Sequence, residues 1–288
     1  MATIIDNEDT TVDTRRAIAM TTAEGEKKQL NIQDRIRLAV CSELRRKILV
    51  TLMDGKKGLS ELRKTLEVSS TTAIHALRDL EKNKLIIEDE KRNYGLTKIG
   101  EIIALKIVDF VDAIDVLQKH EEFWLTHDLS GIPPHLMEKI GWLNNSTLME
   151  DTSLDIFKVH STYIELLKTV TKVRGISSIF DPHHPKVYEE LLRSGIDVQL
   201  VLTEEVLEKV IEAPSAELRQ SGTLVIYIGK KPLKMGFTVT DKFLSLGLYH
   251  VNGSYDYNRD ILSYDKRAIE WGYELFEYHR GMAEKCKI

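Results

Sequence analysis

One stretch constrains the fold more than any other: Leu59–Lys98, LSELRKTLEVSSTTAIHALRDLEKNKLIIEDEKRNYGLTK. Ser60 is placed to cap a short helix with Leu62 and Leu66 facing inward, and Val68 packs at the turn that follows. Ser69 or Ser70 caps a second segment, about Ser70 to Asn83, whose Ile74, Leu77 and Leu80 fall on one face at helical spacing. Two short apolar runs come next, Leu85-Ile86-Ile87 and Tyr94-Gly95-Leu96. The charged tip Glu88–Asn93 separates them, the pattern of a β-ribbon.

Helix, turn, helix and ribbon in that order make a winged helix-turn-helix, assigned to residues 31–98. In that arrangement the second helix lies in the major groove of double-stranded DNA and its N-terminal residues reach base edges. Ser70, Thr71, Thr72, His75, Arg78 and Lys82 are the candidate DNA-binding residues on the helix. Thr71 and Thr72 suit a thymine methyl or a phosphate, and Arg78 suits guanine or phosphate. Lys91 and Arg92 at the ribbon tip are phosphate candidates, weakened by Glu88, Asp89 and Glu90 beside them. The bland alternative for the same residues is a solvated helix face.

Charge agrees with the DNA reading once it is divided. The chain of 288 residues carries −5 overall, yet residues 33–98 hold 15 Lys and Arg against 10 Asp and Glu, leaving −10 on the remainder. A basic segment on an acidic body fits a DNA-binding module joined to a domain with another task. Residues 1–30 are polar, read as a flexible tail, and lack the apolar run of a secretory signal. Cys41 and Cys286 are too few and too far apart for a disulfide framework or a cysteine metal cluster, which fits a cytoplasmic setting. No stretch approaches the roughly 20 apolar residues of a membrane span.

Gln33 to Met53 reads as one helix, with Ile36, Val40, Leu44, Ile48, Leu49 and Leu52 at steps of three and four. Asp54-Gly55 ends it. Beyond the ribbon, Thr97 to Trp124 reads as a long helix, and residues 99–124 are assigned as a linker and dimerisation element. Ile103, Ile107, Phe110, Ile114 and Leu117 form a heptad seam. A homodimer joined there would offer two recognition helices to a two-fold operator.

Residues 125–288 read as an α/β effector domain with a mixed sheet. His135 to Leu143 and Asp155 to Lys172 are helices. Val173–Phe180 and Val198–Leu202 are buried strands, with helices His183–Ser194 and Thr203 to about Ala213 after them. Asp181 caps the first of these and Pro182 opens it. Thr223–Ile228, Leu233–Thr240 and Phe243–His250 are close-set strands, and Asp265 to Ala283 is a closing helix. The fold class is therefore a two-domain α+β and α/β chain. Ligands of open α/β sheets sit beyond the carboxyl ends of parallel strands, which nominates Ser177, His183, His184 and Thr203 as pocket lining. As single residues, Thr203 and Asp181 serve equally as caps and the histidines as surface groups.

No cofactor and no catalytic residue is assigned. A metal at Asp181, His183 and His184 is not expected: neighbouring residues on a helix diverge, and neither HExxH nor a cysteine pair accompanies them. His184-Pro185-Lys186 opens the H-x-K signature of phospholipase D, but Leu191 stands where that signature needs Asp, and no second copy occurs. A phosphate-chemistry enzyme with an accessory DNA-binding domain is the rejected alternative. A DNA-binding adaptor whose α/β half holds a protein is the remaining one.

Four segments resemble the effector half of archaeal methanogenesis-regulatory winged helix-turn-helix proteins. They are FWLTHDLSGIPPHLMEKIGWL (Phe123–Leu143), GISSIFDPHHPKVYEELLRSG (Gly175–Gly195), VTDKFLSLGLYHVNGSYD (Val239–Asp256) and ILSYDKRAIEWGYELFEYHR (Ile261–Arg280). The last, with Asp265 and Trp271-Gly272, is the most diagnostic, and the resemblance covers residues 31–288. It implies a cytoplasmic transcription regulator of archaeal type controlling metabolic genes, with double-stranded DNA as partner and a small molecule or protein as effector. It carries no ligand identity and no catalytic motif. The effector half is also similar in layout to the phospholipase-D-like sensor domains of some archaeal sugar regulators.

Overall fold

A computed structural model describes residues 37–212 and 223–286. The tail at 1–30, with Arg15 and Arg16, lies outside them, as do the start of the first expected helix and Ala213. The chain divides into two compact units between Val108 and Asp109.

The N-terminal unit opens with a helical turn at 37–40, followed by α1 (Glu43–Thr51) and a 3-10 turn at Leu52–Asp54. Where periodicity predicts one continuous helix, Ser42 interrupts it. Its backbone is extended and its hydroxyl accepts the Arg45 N–H at 3.4 Å, so it caps a new helix. Strand β1 (Lys57–Gly58) leads to α2 (Leu59–Leu66), a left-handed Glu67, and α3 (Ser70–Lys82). Gly58, not Ser60, occupies the cap of α2, and no side chain bonds there. Strands β2 (Ile86–Glu88) and β3 (Asn93–Leu96) form an antiparallel ribbon with Ile86 opposite Leu96. β1 joins the free edge of β3, giving the order β1-β3-β2. Ile48, Leu49, Leu52, Leu62, Ala76, Leu77, Leu80, Leu85 and Ile86 make the core of this unit.

Helix α4 (Lys98–Lys119) contains the unit division, and α5 (Glu121–Thr126) follows it. The expected single helix to Trp124 breaks at His120, whose backbone leaves helical geometry. Its buried ring faces the Ser146 hydroxyl at 3.1 Å, and the Trp124 indole N–H donates to the Val116 carbonyl at 3.0 Å. The heptad seam also divides. Ile107, 5 % exposed, belongs to the N-terminal core, and Ile103 packs against it. Phe110, Ile114 and Leu117 are exposed. Ile107 is therefore not a free seam position.

The C-terminal unit is an eight-stranded mixed sheet between two helical layers. After α5 come α6 (Pro134–Met137), a 3-10 turn at Ile140–Leu143, β4 (Thr147–Glu150), α7 (Lys158–Leu167), β5 (Lys172–Ser177), α8 (His184–Arg193), β6 (Asp197–Leu202) and α9 (Glu204–Glu212). Beyond residue 222 lie β7 (Leu224–Gly229), β8 (Met235–Thr240), β9 (Leu244–Leu248), β10 (Arg259–Ser263), α10 (Lys266–Gly281) and β11 (Ala283–Lys285). Strand order is β11-β7-β6-β5-β8-β9-β10-β4. The two crossovers through α8 and α9 make β5-β6 and β6-β7 parallel; the other pairs are antiparallel. Alternation along the strands sorts the faces. Ile176, Phe237, Val239, Leu246 and Ile261 pack on α10 around Trp271, whose indole N–H donates to the Leu136 carbonyl at 2.9 Å. Val173, Leu200, Leu202 and Leu262 pack on the opposite side, where α8 and α9 supply Leu191, Leu192, Val206 and Leu207. Among the described residues no helix is long and apolar enough to cross a membrane.

Candidate functional site

On α3, Ser69 stands just before the first turn and accepts the Thr72 N–H at 3.1 Å. Ala73, Ala76, Leu77 and Leu80 turn inward, so Thr71, Thr72, His75, Arg78 and Lys82 are left exposed; Ser70 is half-buried. Arg45 donates to Asp79 at 2.7 Å, which neutralises one acid of this helix. At the ribbon tip, Asp89 accepts the N–H groups of Lys91 and Asn93 at 3.0 and 2.9 Å and pairs with Lys56 at 3.1 Å. The Asn93 N–H first, then Lys56, hold its carboxyl below the ordinary value. One of the three acids feared at the tip is thus occupied within the fold, while Lys91 and Arg92 remain exposed.

The C-terminal unit holds a cavity of about 370 Å³ between the sheet and the α7–α8–α9 layer, within the range of small-molecule pockets. Its existence follows from small residues at the alternating positions that face this layer. Gly236 and Gly247 are direct partners on β8 and β9. A Cβ on either would come within 2.4 Å or 2.0 Å of the Tyr255 hydroxyl, so only glycine admits that ring beneath the cavity. Gly175, Thr238 and Ser245 leave further room. Phe157, Ile179, Phe180, Leu202 and Val206 supply apolar wall.

The polar groups are few and engaged with one another. The Tyr163 and Thr238 hydroxyls lie 2.9 Å apart, and Tyr163 and Tyr188 3.4 Å apart. Burial raises both phenols, so they stay protonated. Ser245 donates to Asp260 at 2.8 Å. Burial, aided by the nearby carboxylates of Asp256 and Asp151, pushes Asp260 up to about 7.

At another part of the wall Asp181 gathers three histidines. The expected cap geometry does not form: Asp181 and Pro182 lie in a turn before α8, and Pro185 is the proline of its first turn. Asp181 Oδ1 accepts the His183 N–H at 2.8 Å and meets His183 Nδ1 at 2.9 Å. Its Oδ2 lies 3.1 Å from His160 Nδ1 and 4.0 Å from His184 Nε2. Burial pushes His184 down to about 4 against the pull of Asp181.

Of the residues nominated from sequence, Ser177, His183 and His184 line this cavity. Thr203 does not; its hydroxyl accepts the Val206 N–H at 3.4 Å at the start of α9. Lys186, the third residue of the H-x-K run, is exposed. His160, Tyr163, Tyr188, Ser245, Tyr255 and Asp260 escaped the sequence reading. The signal that could have found them is the Gly and Ser at alternate positions of MGFTVT and LSLGL, which mark a hollow over the sheet.

A second cluster joins His127, His250 and Asp256, none of which lines the cavity. His127 Nε2 and His250 Nε2 lie 3.2 and 3.5 Å from Asp256 Oδ2, and Arg259 Nε donates to the same oxygen at 2.8 Å. His127 Nδ1 meets the Phe123 carbonyl at 2.7 Å, so both of its ring nitrogens are engaged.

Comparison with known proteins assigns the family. Residues 33–115 match the model of the N-terminal domain of methanogenesis regulatory protein FilR1, and residues 156–282 match that of its middle domain. The FilR1 protein of Methanothrix harundinacea (strain 6Ac) is 30% identical over 253 residues, 85% of this chain and 56% of the relative. The chain thus spans about half the length of that relative. Among solved structures, the archaeal chromatin protein TrmBL2 gives a TM-score of 0.41 at 14% identity, over 88% of this chain and 98% of that one. The phospholipase D family member Nuc from Salmonella typhimurium gives 0.41 at 13% identity, over 50% and 99%. Likenesses of that strength carry no argument about fold or function. The two domain matches and the relative do: this chain belongs to the methanogenesis regulatory protein family.

Proposed function

We propose that this chain is a sequence-specific, DNA-binding transcription regulator that controls metabolic genes in the cytoplasm of an archaeon. In this reading residues 31–98 are a winged helix-turn-helix and residues 99–124 a linker and dimerisation element. Residues 125–288 are the effector domain, whose cavity takes a small molecule. The observation that carries the reading is the outer face of α3, which leaves Thr71, Thr72, His75, Arg78 and Lys82 exposed on a helix fixed by its own core. Its first turn would enter the major groove, with Thr71 and Arg78 nearest the bases and Lys82, Lys91 and Arg92 on phosphates. Phe110, Ile114 and Leu117, exposed on α4, are the surface for a second copy. An effector would act by fitting one arrangement of that dimer better than another.

Replacing Thr71 and Arg78 together by Ala should lower affinity for promoter fragments recovered by chromatin immunoprecipitation by about 100-fold, with an unchanged melting temperature. Equal gel-shift affinity would sink the recognition-helix assignment. Phe110→Asp with Ile114→Asp should give a monomeric mass in light scattering. Ile107 is unsuited to that test, because Asp there would be buried in the N-terminal core. A dimeric mass from the Phe110/Ile114 variant would place the interface elsewhere.

A further inference from the structure

We propose that His160, Asp181 and His184 form a binding site for a divalent transition-metal ion in the wall of the cavity, with an open coordination position facing its interior. The argument begins with donor geometry. One ligand atom from each of His160, Asp181 and His184, a ring nitrogen or a carboxylate oxygen, lies within 4.8 Å of the other two. Ligand bonds of about 2.0–2.1 Å put donor atoms roughly 3.3 Å apart around a tetrahedral ion. The His160–Asp181 separation of 3.1 Å already matches, and the His184–Asp181 separation of 4.0 Å needs closure of less than a bond length. The His160 and His184 rings are nearly parallel, 11° between planes, with centroids 5.9 Å apart. Two imidazoles on one tetrahedral ion have centroids about 5 Å apart.

The carboxylate is prepared for single-oxygen ligation. His183, through its backbone N–H and its Nδ1, occupies Oδ1 and leaves Oδ2 turned toward the other two histidines. That is the supporting shell which orients a metal-bound carboxylate. Among the described residues no lysine or arginine pairs with Asp181, so no protein cation stands where the ion would lie. Two imidazoles and one carboxylate favour zinc, iron, cobalt or nickel over magnesium or calcium. All three ligands line the cavity, so a three-ligand site leaves its fourth position toward the space proposed above for an effector. Only the role of the ion rests on that effector reading; its binding does not.

The test uses the full chain, stripped with a chelator and titrated in the absence of DNA. ZnCl2 followed by calorimetry should give one tight site per chain, and CoCl2 should give the strong visible absorption of a four- or five-coordinate ion. Asp181→Asn and His160→Ala should each weaken Zn²⁺ by about 100-fold or more, and His183→Ala by about 10-fold through loss of carboxylate orientation. His250→Gln should bind as the wild type does. Circular dichroism of every variant establishes that a loss is not unfolding. Absence of a tight site in the wild type overturns the proposal, as does wild-type affinity in the folded His160 or Asp181 variant. An organic effector that still binds Asp181→Asn while no zinc binds the wild type would remove the metal and leave the sensor reading standing.

Discussion

The two His–His–Asp clusters of the C-terminal unit offer the same three donor types and differ in what else reaches the carboxylate. Around Asp256, Arg259 takes the oxygen that both histidines face; His127 and Asp256 are buried, and His250 and Arg259 are partly exposed. Burial alone would raise the Asp256 carboxyl, but Arg259 and the Asn258 N–H hold it below its usual value. Around Asp181 only histidines approach, and the open side is a cavity. A guanidinium already in place turns a metal-like constellation into a structural ion pair. Without one, the same residue types are left for a cation from outside.

The largest difference should appear in stability. Asp256→Ala leaves Arg259 and two imidazoles without their shared acceptor in a buried site, a change that costs about 3–5 kcal/mol. Asp181→Asn, at a partly exposed position with no guanidinium beside it, should cost less, about 1 kcal/mol. Urea unfolding of the metal-free variants measures both. Equal losses would mean that the Asp181 cluster is as structural as the other, and the contrast drawn from Arg259 would fail.

How much of this could be read from the residues depends on how far apart the cooperating residues lie. Periodicity placed Leu77 and Leu80 inward and left Thr71, His75 and Arg78 outside, because a helix face is set by neighbours three and four residues away. It carried through Cys41 and Ser42 without seeing the break, since one side-chain cap outweighs a local apolar rhythm. It also could not tell Ile107, inside its own core, from Phe110 on the surface, because both obey the same heptad. Strands β4 and β10 were missed for a related reason: TLME and RDILS are short and charged at one end, and they are strands because they pair with each other. The Asp181 cluster shows the limit most directly. His183 and His184 adjoin it in sequence, but His160 arrives on α7 through the packing of that helix beside the β5–α8 turn.

The comparison extends to a third carboxylate, with a smaller effect and a definite sign. Asp260 lies four residues beyond Asp256 but has Ser245 as partner in place of an arginine, and its pKa rises to about 7. Its value in the folded chain is therefore above its unfolded value of 3.8. Between those limits the folded state holds a proton that the unfolded state has released. Raising the pH through this window must weaken the fold, and the penalty is complete above about 7. Asp260→Asn keeps the hydrogen bond to Ser245 and cannot ionise. The difference in unfolding free energy between variant and wild type should shift in favour of Asn by on the order of 3 kcal/mol from pH 5 to pH 8. Groups that titrate alike in both proteins cancel in that difference. Parallel stability curves would mean that Asp260 is ionised in the folded chain across the whole range. The cavity would then contain a fixed negative charge, and it would favour a cationic effector over the neutral or hydrogen-bond-accepting one that a protonated Asp260 suits.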